Sequence, residues 1–385
     1  MPKRIALNAL SAQVGGGVSA FVNLMPALAR VDSKNQYIVF LSKKQKEILE
    51  VIPENFSKVI VGYNSSNPYV RILWEQLIFP FYILFYSVDV LYSVGNITTL
   101  LSPCKVVLLI ENSNPYSSLN IKWTKKHVLE KNFRKFFGWL SAKRANKIRF
   151  VSNNSKAILV KKLCLPEDKC VTIYHGFNKK SFSRETNGKS SFNPEHVGKY
   201  ILTVAVVTPH KNLHILIEAF KVIIEKYHYK GNLVIVGDLC YLDYANQICT
   251  MIDKLVLHGR VILTGKVENS RIHTYYKNAD CFVMPSVEET FCLPVLEAMG
   301  YQVPLAVSDN YVPELKDCFI PFREVCGDAA HYFNPLDPED IAYGINKIVS
   351  EQSYKEQLVL QGKMQAQKYS WEKTAKALIN VFESL

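Results

Sequence analysis

The 385-residue chain has no CxxC pair among its nine cysteines, and neither close pair, Cys164/Cys170 nor Cys318/Cys326, has partners at zinc-finger spacing. An odd number so spaced reads as reduced, mostly core thiols of a cytosolic protein, and the length of the chain excludes a small disulfide scaffold. The opening MPKRIALNAL passes into the Gly-rich SAQVGGG without an apolar run of secretory-leader length. Ile72–Val94 is strongly apolar, but Glu75 and Asp89 interrupt it, and the 13 residues between them fall short of the roughly 20 that span a bilayer. There is no Asp-x-Asp pair to hold a metal-bound diphosphate, and Asp337 and Asp340 in LDPED read as a helix cap. There is no GxGxxG either, which argues against a dehydrogenase.

Acidic residues are scarce in the first half. Residues 1–190 hold 28 Lys+Arg and 11 Asp+Glu, so of the total 46 and 34 the remainder holds 18 and 23, a division of +17 against −5. Such polarity suits an anionic surface or substrate on the N-terminal side. From Lys122 to Lys162 there are 13 cations and one acid, interleaved with Trp123, Phe133, Phe136, Phe137 and Trp139. On a helix, Lys131, Arg134, Lys135, Lys143 and Arg144 would form a basic amphipathic face for peripheral docking on an anionic membrane. No recognised nucleic-acid module accompanies it, so nucleic acid is not expected as a partner. The aromatic run Trp74–Tyr92 reads mainly as core and acceptor-cleft lining, with membrane contact as the lesser reading.

With 48% hydrophobic residues the chain is globular, and its length implies about two domains. Apparent strands at Lys3–Leu10, Gln36–Leu41, Val59–Val61, Val88–Ser93, Cys104–Ile110 and Lys147–Ser152 alternate with helical patterns, the rhythm of parallel βαβ units. Gly15–Gly17 forms a glycine turn between the first strand and its helix. The polar stretch Arg184–Lys199 reads as the linker. After it the pattern restarts with strands at Tyr200–Val207, Asn232–Gly237, Val261–Thr264, Cys281–Pro285 and Pro304–Ser308. The expectation is an α/β chain of two doubly wound, Rossmann-like domains, 1–185 and 198–368, facing a cleft, with the helix at 370–385 packing back on the first.

The segment SVEETFCLPVLEAMG, Ser286–Gly300, carries the clearest chemistry. It places Glu289 after a strand, Pro294 at the first helical position and Glu297 in the first helical turn, eight residues from Glu289. A helix start offers amide groups and a positive dipole end to an anion, while carboxylates accept hydrogen bonds from sugar hydroxyls. That pairing suits a nucleotide sugar. Lys211, in the strand-to-helix loop TPHKN, is sited to neutralise a leaving diphosphate. His210 and His214 lack a third partner for a metal.

ETFCLPVLEA resembles the EGFGLPxLEA signature of the retaining glycosyltransferases of the GT-B fold in family 4, the glycosyl transferases group 1. The resemblance extends to SNNSK at Ser152–Lys156, YHGFN at Tyr174–Asn178, PHKN at Pro209–Asn212 and YSWEKTAKAL from Tyr369. It implies Glu289 and Lys211 as catalytic residues, with Glu289 on the donor sugar and Glu297 on the ribose diol. It also implies amides around Phe291, Cys292 and Leu293 on sugar and phosphate, and close backbone approach at Gly16 and Gly17. The substrates implied are a nucleotide sugar and a lipid-linked or surface-glycan hydroxyl, with no cofactor and no metal, in a protein on the inner face of the cell membrane.

Two departures stand out. Val206 occupies the place of the family's Arg five residues before the Lys, which makes His210 or an N-domain Lys the alternative cation. LIENSNPY, Leu109–Tyr116, replaces the usual His-Asp neighbourhood, with Asn112 or Asn114 nearby. Together they leave open a catalytically degenerate nucleotide-sugar binder that docks on membranes.

Overall fold

The computed structural model describes residues 2–12, 15–45, 53–62, 67–119, 125–177, 198–268, 271–309 and 311–385. Most of the expected linker, and Asn178 of YHGFN, lie outside them. The chain divides into two compact units. The first comprises Met1–Ser117, Lys122–Gly176 and Ser370–Leu385, and the second Ser118–Ile121 and Phe177–Tyr369.

The first unit is built on a seven-stranded parallel sheet. Its strands are β1 (Arg4–Asn8), β2 (Gln36–Ser42), β3 (Phe56–Val61), β4 (Val90–Ser93), β5 (Lys105–Ile110), β6 (Lys147–Phe150) and β7 (Cys170–Thr172), in the order β3-β2-β1-β4-β5-β6-β7. Runs such as VLYS and the VVLLI of β5 are buried throughout, because parallel strands are covered on both faces. The helix Trp371–Glu383 belongs to this unit. Ser370 caps it through Lys373 N at 3.2 Å, Lys3 Nζ donates to Phe382 O at 2.8 Å, and Thr374 Oγ1 donates to Tyr174 O at 2.8 Å.

The second unit has six parallel strands: β8 (Tyr200–Val204), β9 (Asn232–Val236), β10 (Val261–Gly265), β11 (Cys281–Met284), β12 (Leu305–Ser308) and β13 (Ala330–Phe333). Their order is β10-β9-β8-β11-β12-β13. Both sheets therefore wind outward in two directions from a central pair, β1/β4 in one and β8/β11 in the other, and each is Rossmann-like. Asp337 caps the helix Pro338–Ser350 through Glu339 N at 2.9 Å, and Asp340 accepts from Asn334 N at 2.7 Å, as expected of LDPED.

The sequence pattern did not mark β7 or β13, which are three and four residues long with half-buried positions. A larger correction concerns Trp74–Tyr92. Its helices Pro68–Leu77 and Phe79–Phe85 bury Ile72, Phe79 and Ile83, but leave Leu73, Leu77, Ile78, Phe81, Leu84 and Phe85 exposed. Apolar composition alone does not distinguish a core helix from a surface one with an apolar outer face.

Gly237, which follows β9, lies so close to the end of β8 that an added Cβ would stand 1.8 Å from Ala205 O. Gly237→Ala is therefore expected to push these backbones apart and destabilise the fold by about 2 kcal/mol. A lowered urea midpoint with an unchanged slope would confirm it, and an unchanged midpoint would refute it.

Candidate functional site

In an open parallel sheet, ligands bind beyond the carboxyl ends of the strands where the order reverses. In the second unit that point lies between β8 and β11. The loop after β8 closes a single turn over Pro209–Lys211 and ends at Asn212, whose φ of 56° starts the helix Leu213–Tyr227. The loop after β11 runs from Pro285 to Cys292, where the helix Leu293–Gly300 begins.

Three links join these loops. Val287 N donates to His210 O at 3.0 Å. The buried Asn212 Nδ2 donates to Pro285 O at 3.2 Å and to Pro335 O at 2.6 Å. The Lys211 ammonium donates directly to the Glu289 carboxylate. Ser286 Oγ, 3.2 Å away, donates to the same carboxylate oxygen, and Glu289 N donates to Phe319 O at 2.5 Å. The paired side chains are only 17% and 10% exposed. Burial is the largest single effect and acts to lower the Lys211 pKa, but the Glu289 charge and hydrogen bond, with Cys292 and Glu288 beside it, together outweigh it and leave the ammonium above its ordinary value.

Glu297 lies in the second helical turn and not the first, because the helix begins at Leu293 and Pro294 is its second residue. Its carboxyl is buried and accepts a hydrogen bond from Tyr276 OH at 2.8 Å, while Tyr276 stacks on Tyr301 at 5.6 Å. Burial raises the Glu297 pKa to about 7, against the lowering effect of that hydrogen bond. Phe291, Cys292 and Leu293 are all buried, with Cys292 at φ 69° where the signature has glycine. A left-handed conformation with a side chain costs roughly 1 kcal/mol. His210 is driven to about 3, first by burial and then by the Lys211 charge, so it is neutral and supplies no second cation in place of Val206. His214 Nδ1 lies 2.9 Å from Tyr244 OH. Among the described residues no group of three or more His, Cys, Asp or Glu is placed to hold a metal ion.

In the first unit the glycine loop meets a charged row that the sequence did not reveal. A Cβ on Gly17 would stand 3.1 Å from Glu111 Oε1, whereas one on Gly16 would meet nothing within 4 Å. Gly15, with φ 67°, is the position where the turn itself requires glycine. Glu111 Oε2 lies 3.6 Å from His175 Nε2, and His175 Nδ1 lies 3.4 Å from the buried Arg149. Arg149 also donates to Ile173 O at 3.0 Å and Tyr92 OH at 2.7 Å. Burial, reinforced by the Arg149 charge and opposed by Glu111, lowers the His175 pKa. Asn112 is occupied in a local turn with Asn114 N at 3.0 Å, so Glu111 is the acidic group beside this loop. The one available signal was a charge directly after the apolar strand KVVLLI.

The basic residues all lie on the helix Lys125–Arg144. Lys131 donates to Ser117 O at 3.2 Å, Lys143 to Cys164 O at 2.6 Å, and Arg144 to Leu100 O and Ser102 O at 3.1 and 2.7 Å. Arg134 pairs with Glu130 at 2.6 Å, and Lys135 is exposed. Most of this charge is thus held by the unit's own carbonyls and its one neighbouring acid.

The sequence model of the family described as "Glycosyl transferases group 1" matches residues 185–365, which include both site loops. An uncharacterized glycosyltransferase of Methanocaldococcus jannaschii is 31% identical over 64% of this chain and 62% of its own length. The O-antigen chain mannosyltransferase RfbU of Salmonella typhimurium is 26% identical over 85% of this chain and 84% of its own. The chain has the GT-B fold, two Rossmann-like units each built on a parallel sheet. Solved structures bear out this fold. A glycosyltransferase from Rickettsia africae has a TM-score of 0.72 at 18% identity, covering 100% of this chain and 98% of that one. Anabaena HepE, solved with UDP-glucose, has a TM-score of 0.74 at 15% identity and full coverage of both. The chain spans less than two thirds of the length of the archaeal relative.

Glu297 binds its proton more tightly in the folded state than in the unfolded one, where a value near 4.5 applies. Its contribution to stability is therefore complete below pH 4.5 and lost as pH rises through about 7, an effect of about 3 kcal/mol. Glu297→Gln should remove it, so the variant gains on the wild type as pH rises from 4.5 to 8 in urea unfolding. Parallel curves would show that the Glu297 pKa is not raised in the folded state.

Proposed function

We propose that the enzyme moves a sugar from a nucleotide-sugar donor to a hydroxyl of a lipid-linked or growing surface glycan, with retention of anomeric configuration. The observation that carries this reading is the enclosed Lys211–Glu289 contact at the point where the second sheet reverses. The donor's diphosphate takes Lys211 as counter-ion in place of Glu289, which frees the carboxylate for the sugar's hydroxyls. Amides around Phe291–Leu293 and the start of the following helix favour the same anion. Glu297 receives the ribose diol by exchanging its bond with Tyr276. The leaving phosphate takes the acceptor's proton, so no strong protein base and no metal or cofactor enters the reading. The printed name of the Salmonella relative, an O-antigen chain mannosyltransferase, and the UDP-glucose complex of the Anabaena neighbour support this substrate class. Such acceptors are membrane-linked, and among the described residues no helix is long and apolar enough to cross a membrane. Peripheral attachment to the inner face of the cell membrane accords with both.

A second reading, a nucleotide-sugar binder without turnover, is favoured by Val206 together with the neutral His210, which leave Lys211 as the single cation of residues 205–212. Release of free nucleoside diphosphate, measured across UDP, GDP, ADP and TDP sugars with glycan acceptors, separates the two. The proposal predicts release that falls by about 10²–10³-fold in Glu289→Ala and in Lys211→Ala. Saturable nucleotide binding without release, in a folded protein, would establish the binder instead.

A further inference from the structure

The segment Pro68–Phe85 reverses the usual polarity of a surface helix pair. Its only charges, Arg71 and Glu75, point inward: both are buried, 3.9 Å apart, with Glu75 Oε1 accepting from Asn8 Nδ2 at 3.0 Å. Every exposed residue between positions 70 and 85 is apolar: Val70, Leu73, Leu77, Ile78, Phe81, Leu84 and Phe85. Leu77 and Phe81 are each 66% exposed and Phe85 81%. The spacing of 70, 73 and 77 puts these on one face of the first helix, and that of 81, 84 and 85 puts these on one face of the second. Monomeric proteins in water rarely leave so continuous an apolar face uncovered.

The surroundings indicate what covers it. Half-buried Tyr69, Trp74, Tyr82 and Tyr86 flank the stripe, the amphipathic rings that settle at the boundary between headgroups and hydrocarbon. Tyr69 meets Phe133 at 4.7 Å, so the stripe continues onto the helix Lys125–Arg144, where Val128, Leu129, Phe136 and Trp139 are exposed beside exposed Lys135 and Lys143. With a net +17 on residues 1–190, this half complements an anionic leaflet. Each helix is too short to span, at ten and seven residues, but suits lying in the interface plane.

We propose that Pro68–Phe85 is the element that inserts into an anionic lipid bilayer, with the helix Lys125–Arg144 as its cationic flank. The inference rests on the peripheral-membrane part of the reading above and names its surface, independently of the transfer chemistry. It shifts the attachment from the basic face expected of Lys131–Arg144 to an apolar stripe that partitions into the headgroup boundary.

The test is sedimentation with vesicles of phosphatidylethanolamine and phosphatidylglycerol. The wild type should bind, and a variant carrying Leu73→Gln, Leu77→Gln, Phe81→Gln and Phe85→Gln should lose at least about tenfold in partitioning. These positions are exposed, so its melting temperature and nucleotide-induced thermal shift should match the wild type. Lys135→Gln with Lys143→Gln should lose only a few-fold and show a flatter salt dependence. Three results would overturn the proposal: no vesicle binding by the wild type, undiminished binding by the four-Gln variant, or a dimer that this variant dissolves without any lipid binding. Absence of nucleoside diphosphate release with vesicle binding intact would count against the transfer reaction alone.

Discussion

A single enclosed ion pair organises the point where the second sheet reverses. Lys211 and Glu289 are 78 positions apart, yet each follows one of the two strands, β8 and β11, between which the second sheet reverses direction. Bringing both charges out of water is costly, and leaving either without the other costs about 3–5 kcal/mol. The two loops are accordingly fastened by Asn212 to Pro285 O and by Val287 to His210 O as well as by the pair itself. Under the proposed function the same constraint makes the site responsive, because a ligand offering an anion to one partner and hydroxyls to the other would satisfy both charges without exposing them.

The two units treat charge differently. The second buries single ionisable groups beside the reversal point, so that Glu297 is raised and His210 lowered by the same loss of solvent. The first lines up Arg149, His175 and Glu111 near its glycine loop, and elsewhere turns Arg71 and Glu75 inward beneath an apolar outer stripe. Within that unit one surface is built from strand-end polarity and another from its deliberate absence.

The repeated strand–loop–helix order of both units was legible because parallel strands buried on two faces write continuous apolar runs, as in KVVLLI and YILTV. β7 and β13 escaped because a three- or four-residue strand with half-buried positions leaves no such run. At the site, ETFCLPVLEA marked the loop and helix, but the contact of Glu289 with Lys211 is a product of sheet order that no local spacing encodes. Nor could spacing show that Glu297 turns to Tyr276, a residue of another helix. Trp74–Tyr92 read mainly as core because its composition is apolar, yet Leu77, Phe81, Leu84 and Phe85 within it are exposed. Which way Arg71 and Glu75 face decides the matter, and that is settled by Asn8 on β1.

The central claim is that Glu289 and a donor diphosphate compete for the same ammonium. Calorimetric titration of nucleoside diphosphate into the wild type, Glu289→Gln, Lys211→Met and the double variant measures that competition directly. The account predicts tighter binding in Glu289→Gln, weaker binding in Lys211→Met, and no gain from Glu289→Gln once Lys211 is gone. Equal affinities across all four proteins would contradict it.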